Sequence, residues 1–366
     1  MTYDELYDET ARIVGSLRAA GVQASDRVVG FMPNMPETVI AMLTATSIGA
    51  AWSSCSPDFG IKEVLDRFGQ IQPKVLFTAD GYFFKGKHFD SLGRISNIIK
   101  EFPSIETVVV VPYTRTDPDI TGVPNAVHYK DFRSAAWNLE IEFEQLPFGH
   151  PFYIMYSSGT TGLPKCMVQS AGGILIHHLK ELILHTDLKR DRTIFYFTTC
   201  SWMMWNWLVS SLAVGATLVL FGGNPFHPDL GALWKMAQDE KITIFGTRAG
   251  YISALQNAGV KPGKTYDLSL LKTVLSTGSP LSVEGFEYIY RDVKQDLQLA
   301  SISGGTDLNG CFALGNPMGP VYAGELQCRG LAMKVLAVDE NGESVQPTGR
   351  AGLYRSVSVH AHLFLE

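Results

Sequence analysis

Side chains suited to chemistry gather first in Tyr156-Ser157-Ser158-Gly159-Thr160-Thr161-Gly162-Leu163-Pro164-Lys165. The hydroxyls of Ser157, Ser158, Thr160 and Thr161 are donors with little bulk. Gly159 and Gly162 permit backbone angles and close approach that a side chain would block. Consecutive amides in such a loop can form an anion nest, and Lys165 adds a positive charge. A polyphosphate fits that chemistry. The spacing is not that of a Walker A loop, which sets Gly before Lys and Ser or Thr after it. Here Pro164 precedes Lys165 and Cys166 follows it. Taken alone, a Ser/Thr/Gly loop is usually a surface turn; two hydroxyls on each side of the first Gly, with Pro-Lys at the end, form a more specific pattern.

Three further stretches carry candidates. Leu275-Ser276-Thr277-Gly278-Ser279-Pro280 reads by itself as a strand-to-helix turn. Ser301-Ile302-Ser303-Gly304-Gly305-Thr306-Asp307-Leu308 reads by itself as a Gly-Gly turn with a capping Asp. Thr198 to Trp207 crowds Trp202, Met203, Met204, Trp205 and Trp207 together, and such clusters are more often core than ligand box. His177, His178 and His185 fall on a helix-like segment, with a solvated face as the expectation. The five cysteines form no CxxC pair, which argues against zinc or thioredoxin-like chemistry and for a reducing compartment.

The elements that must position these residues are legible as periodic runs. Phe152 to Met155 is a short apolar strand entering the Ser/Thr/Gly loop; Gly172-Gly173 then leads into a helix-like segment from Ile174. Thr2 and Glu5 form a capping box for a helix that Gly21 ends. Asn34, followed by Pro36 and Glu37, opens a second helix. Arg27 to Met32, Lys74 to Thr78 and the β-branched run Thr107 to Val111 are strands, the last as expected for burial on both faces. Tyr113 to Gln145 reads as an irregular surface excursion. Strands are expected again at 193–197, 217–221, 242–245 and 271–275, with helices at 229–238, 249–258 and 283–294 between them. Met333 to Val338 is a strand leading into a turn at Asp339 to Glu343. This alternation predicts a mostly parallel α/β sheet domain over 1–315, in two halves of about 1–112 and 150–315. A partial β-subdomain is expected at 316–352 and a divergent tail at 353–366. In open α/β sheets ligands sit at the carboxyl ends of the strands.

Composition narrows the function classes. Of 366 residues, 46% are hydrophobic and 18% charged, a globular balance. A formal charge of −6 argues against nucleic acid as the main partner. No apolar run approaches the roughly 20 residues that span a bilayer. No signal peptide is visible, so a cytosolic protein is the default. The sequence carries no signal for an oligomeric state.

The Ser/Thr/Gly loop with Pro164-Lys165 resembles the phosphate loop of the acyl-adenylate-forming superfamily. Ser301 to Leu308 resembles its Tyr-Gly-x-Thr-Glu motif. The resemblance covers nearly all of residues 3–352. Pro57-Asp58-Phe59-Gly60, the Trp202 to Trp207 cluster and Ser303-Gly304-Gly305-Thr306-Asp307 look closest to the acetoacetyl-CoA synthetase family within it. What the resemblance implies is an acid–thiol ligase with acetoacetate, ATP and CoA as small-molecule substrates. The carboxylate attacks the α-phosphorus to give an acyl-adenylate, and the CoA thiolate then attacks the acyl carbon. Residues 157–162 and Lys165 would hold the phosphates, with Thr161, Lys165, Thr306 and Asp307 catalytic. Gly278, Ser279 and Pro280 would lie on adenine and ribose. Gly305 and Thr306 would reach the α-phosphate, and Asp307, one methylene shorter than the family's Glu, would hold Mg2+. Trp202, Met203, Met204, Thr277 and Gly304 would line the acyl pocket. Acetate enzymes carry a Trp where Gly304 stands, so Gly304 would admit a longer acid. The family continues beyond Gly352 with a ribose-binding motif and a small mobile domain bearing a lysine for adenylation. That domain is expected to be absent here and the chain weakly active or inactive. The alternatives are a non-catalytic nucleotide- or acyl-binding fragment, or a synthetase for another short-chain acid.

Overall fold

The computed structural model describes residues 1–134, 139–157 and 162–336. Its first half is a sheet of seven strands built from β1 (Arg27–Phe31), β2 (Ala51–Cys55), β3 (Val75–Ala79), β6 (Thr107–Val111), β7 (Ala126–His128), β8 (Pro151–Ser157) and β9 (Lys165–Ser170). Their order across the sheet is β7-β6-β3-β1-β2-β8-β9, and every neighbouring pair except β8–β9 is parallel. A hairpin, β4 (Gly81–Phe84) with β5 (Lys87–Asp90), stands apart after β3. The second sheet is wholly parallel, in the order β11-β10-β12-β13-β14. These are β10 (Thr193–Tyr196), β11 (Thr217–Val219), β12 (Ile244–Arg248), β13 (Thr273–Thr277) and β14 (Gln298–Ser301). A small antiparallel sheet follows, from β15 (Ser303–Gly305), β16 (Gly310–Leu314) and β17 (Cys328–Arg329).

Strand alternation divides the core three ways, because successive side chains point to opposite faces. From the first sheet, Val28, Val75, Phe77 and Val109 enter a core shared with Ile194, Tyr196, Ile244 and Leu275 of the second. Their neighbours Val29, Leu76, Val108 and Val110 face a separate outer core against α3 (Ile61–Phe68) and α4 (Leu92–Lys100). On the far side, Phe195, Phe245 and Val274 pack on α8 (Ala232–Asp239), α9 (Ala249–Asn257) and α11 (Val283–Tyr288). Between the sheets lie α1 (Tyr3–Ala19), α2 (Pro36–Ser47), α6 (Ala171–Leu179) and α7 (Met203–Val209). Two very short helices, α5 (Tyr129–Phe132) and α10 (Pro262–Thr265), complete the set. The layers thus alternate helix, sheet, helix, sheet, helix. Gly246 is needed for this packing: the Tyr196 ring on the adjacent strand occupies the space a Cβ would take. No described helix is long and apolar enough to cross a membrane.

The expected mixed α/β architecture with mainly parallel sheets is present, and several local readings change. The capping box on α1 forms through Thr2 and Glu5. Asn34 does not cap α2; Met35 takes that place without a side-chain bond. The 113–145 stretch contributes β7 and α5. Tyr153 and Ile154 pair with Trp52 and Ser53, so β8 and β9 extend the first sheet and the sheets do not divide at residue 150. The small β-sheet begins at Ser303, earlier than 316, and Met333–Leu336 form no strand. The turn at 339–343 and the tail at 353–366 lie outside the described residues.

Candidate functional site

The phosphate-type loop is entered and left by paired antiparallel strands. Ser157 ends β8, Lys165 begins β9, and their Cα atoms are register partners, which sets the lysine opposite the serine. Gly162 has φ +90, the left-handed region that favours glycine. Gln70 at the end of α3 donates to the Pro164 carbonyl at 2.9 Å and ties the loop's exit to the first sheet. Ser158, Gly159, Thr160 and Thr161 lie outside the described residues.

Thr306 and Asp307 occupy the β15–β16 turn, which closes through Asn309 in the left-handed conformation (φ 51). Asn309 is fully buried and holds the turn from two directions. Its Nδ2 donates to the Tyr153 hydroxyl on β8 at 2.6 Å. Its carbonyl accepts from His178 Nε2 at 2.8 Å. The same strand that leads into the Ser/Thr/Gly loop therefore anchors the turn bearing Asp307.

Beneath this turn α6 runs into a π-helical turn, Lys180–His185. Glu181, with no exposure, accepts from Trp207 Nε1 at 3.0 Å and from the Cys311 amide on β16 at 2.8 Å. Lys180 Nζ lies 3.6 Å and His177 Nε2 3.3 Å from its carboxylate. Burial raises the Glu181 pKa against the opposing pull of Lys180. Burial likewise lowers His178 to about 4 and His177 to about 3, so both are neutral at pH 7. His185 donates from Nδ1 to the Gly315 carbonyl at 2.8 Å and accepts at Nε2 from the Leu331 amide at 3.0 Å, which only a neutral imidazole does. The three histidines are thus not a solvated helix face. His178 and His185 are structural donors and acceptors with partners far along the chain, while His177 lies beside Lys180 and Glu181 of its own helix.

The candidates meet around a cavity of about 1120 Å3 at the carboxyl ends of both sheets. Its lining includes Asn34 after β1, Asp58 after β2, Ser157 and Lys165 at the hairpin, Thr199 and Trp202 after β10, Arg248 at the end of β12, and Thr306 and Asp307. A smaller cavity of about 370 Å3 adjoins it, lined by Trp202, Arg248, Gly250, Gly278 and Ser279. The floor is stitched across the two sheets. Trp205 Nε1 donates to Asn34 Oδ1 at 2.9 Å, Asn34 Nδ2 donates to the Phe221 carbonyl at 3.3 Å, and Ser54 Oγ donates to the Cys200 carbonyl at 2.6 Å. Cys200 Sγ faces the Pro33 carbonyl at 3.4 Å, and burial raises its thiol pKa, which leaves an inert side chain rather than a nucleophile.

Not every expected residue reaches the cavities. Met203 and Met204 are 4% and 2% exposed: α7 turns them into the shared core, while Trp202 stays at its N-cap. Thr277 is buried and donates to the Ile302 carbonyl at 2.9 Å. Pro280, Gly305 and Gly162 line neither cavity. Gly304 also lines neither, and a Cβ there would run into the Gly310 carbonyl oxygen on β16. The irregular β15–β16 pairing at Ser303/Gly304 therefore requires glycine for backbone approach, whatever its effect on substrate. Sequence reading missed Arg248, Asn309 and Glu181. Only Arg248 carried a signal, as a lone cation closing an apolar strand at the ligand end of the sheet.

Known proteins resemble this chain over most of its length. Acetoacetyl-coenzyme A synthetase of Rhizobium meliloti (strain 1021) is 50% identical over 347 residues, 94% of this chain and 53% of that protein. Acetoacetyl-CoA synthetase of Mus musculus is 48% identical over 350 residues, 94% of this chain and 52% of that protein. The solved acetoacetyl-CoA synthetase from Streptomyces lividans superposes with a TM-score of 0.88 at 43% identity, covering 93% of this chain and 52% of that one. The chain spans about half the length of the curated relatives it matches. The sequence profile described as AMP-binding enzyme matches residues 1–353, and the chain belongs to that family.

Proposed function

We propose that the chain binds ATP in the larger cavity and activates acetoacetate there as an acyl-adenylate, for transfer to CoA. The observation that carries this reading is the meeting of Lys165 with Thr306 and Asp307. Two motifs distant in sequence bring a cation, a hydroxyl and a carboxylate to one cavity. The names of the relatives, acetoacetyl-CoA synthetases at 48–50% identity, supply the acid. Ser157, the loop 158–161 and Lys165 cradle the phosphates; Thr306 donates to the α-phosphate. Lys165 and Thr306 stabilise charge that develops during attack, which is where positioned donors act most. The backbone at Gly278, Ser279 and Pro280 supports the adenosine, and Trp202 bounds the acyl side. Thr277, Gly304 and Gly305 shape the backbone around these contacts, and Met203 and Met204 pack behind Trp202.

Asp307 is an exposed carboxylate in the cavity wall, and no group of three His, Cys, Asp or Glu side chains converges among the described residues. That donor set fits Mg2+ held by one carboxylate, waters and nucleotide oxygens. When bound, the ion neutralises phosphate charge.

Calorimetric titration with Mg·ATP tests the assignment. Lys165→Ala and Asp307→Asn should each weaken binding by roughly 10- to 100-fold, the worth of one charge-assisted contact. Unchanged affinity in both variants would exclude this cavity as the nucleotide site. Acetoacetate-dependent exchange of pyrophosphate into ATP separates activation from nucleotide binding alone.

A further inference from the structure

Arg248 closes β12 and lines both cavities. Its guanidinium lies over the Trp202 ring, 4.6 Å from the centroid. Its aliphatic stem runs past Gly278, where a Cβ would meet Arg248 Cγ at 3.6 Å. Gly278 has φ +86, so glycine suits that position for its backbone as well. The head of Arg248 is thus stacked on one side and its stem packed on the other, yet no carboxylate of the described residues forms an ion pair with it. A guanidinium held this way has lost much of its rotamer freedom before any ligand arrives, and its forked donors point to planar oxygen acceptors. The plain alkyl chain of an aliphatic acid placed against it would strip water from the cation and return no bond.

We propose that Arg248 recognises a second oxygen on the acid substrate, the C3 carbonyl oxygen of a short 3-oxo acid, and thereby selects that class over plain aliphatic acids. The inference rests on the reading that the chain takes a short acid beside ATP, and it names the residue that reads the acid. The acid rather than the nucleotide is assigned because the guanidinium stacks on Trp202, which bounds the acyl side, where the larger cavity of Lys165, Thr306 and Asp307 meets the smaller one of Gly278 and Ser279. Trp202 acts as a positioning residue for the guanidinium.

The test is calorimetry on the full chain saturated with a non-hydrolysable ATP analogue, titrated with acetoacetate and with butyrate, which lacks the oxygen. The wild-type chain should prefer acetoacetate by roughly 10- to 100-fold, the discrimination expected of a hydrogen-bonding site against an analogue lacking its partner. Arg248→Gln should collapse that ratio towards unity, and Arg248→Lys, which keeps the charge but not the fork, should retain part of it. A ratio unchanged in Arg248→Gln overturns this inference alone. Loss of analogue affinity with the ratio intact also overturns it and gives Arg248 to the nucleotide. Failure of the wild type to bind either acid overturns the underlying acetoacetate reading together with this one.

Discussion

His178 shows how far a residue's surroundings outweigh its type. It is completely buried, with Nδ1 2.8 Å from Ser210 Oγ and Nε2 donating to Asn309. Burial lowers its pKa from 6.5 to about 4, and His177 beside it to about 3. A group whose folded pKa lies below its unfolded value takes up its proton more readily in the unfolded chain, so stability falls as pH drops through that interval. Glu181, raised by burial, acts in the opposite sense above pH 4.5, but it is one proton against two. Stability should therefore decline from pH 6.5 towards pH 4, by about 1.4 kcal/mol per pH unit for each buried histidine. Urea midpoints at pH 7, 6 and 5 check this, and His178→Gln should flatten the trend; equal slopes in both proteins would contradict it. Nothing in the sequence announced this behaviour. A histidine on a helix reads as solvated, yet the partners of His178 and His185, Asn309 and Gly315, flank β16 more than a hundred residues away. Asn34 misled for the same reason: its local context suggests a helix cap, while its actual partners are Trp205 on α7 and Phe221 just after β11.

Elements differ in how plainly they are written. Thr107–Val111 was legible because a strand buried on both faces needs an unbroken β-branched run, and this one pairs with strands on either side. The β8–β9 hairpin was not. Lys165–Ser170 has a modest pattern of its own, and its identity as a strand comes from pairing with Pro151–Ser157 across the small-residue loop. The π-helical turn in α6 was equally hidden, since the periodicity on either side is helical. That turn joins helix to site: Glu181 accepts from α7 through Trp207 and from β16 through Cys311. Glu181→Ala should strand both donors in a closed interior and destabilise the chain by roughly 3 kcal/mol. It should also weaken Mg·ATP binding, because the Thr306–Asp307 turn loses a support. Denaturation and titration on the same preparation check the two effects, and a variant as stable as the parent would show that the carboxylate carries no load.

At the scale of the molecule the site is a property of neither sheet alone. Lys165 comes from the first, Arg248 from the second, and Thr306 and Asp307 from the small sheet that follows. A ligand that touches all three stabilises the folded chain by mass action, about 2.7 kcal/mol at a hundred times its Kd. Mg·ATP should raise the thermal midpoint in a saturable way, and Lys165→Ala should shift the concentration needed. A midpoint that ignores ATP would remove the basis for the proposed activity.

The stitches beneath the cavity settle how such a site can move. Asn34, Ser54, Cys200 and Trp205 tie the ligand ends of the two sheets to each other with hydrogen bonds of 2.6 to 3.3 Å. Opening the cleft along that line would break all of them in a nearly dry interior, so the two sheets cannot act as jaws on a hinge. The cavity is better pictured as a dish with a welded base and a compliant rim. Accommodation of a substrate falls to the rim, where the Gly81–Asp90 hairpin places Tyr82, Phe83 and Phe84 along the wall. Amide protons of the base should then be among the last to exchange with solvent, while those of the hairpin exchange early and report on whatever the dish contains.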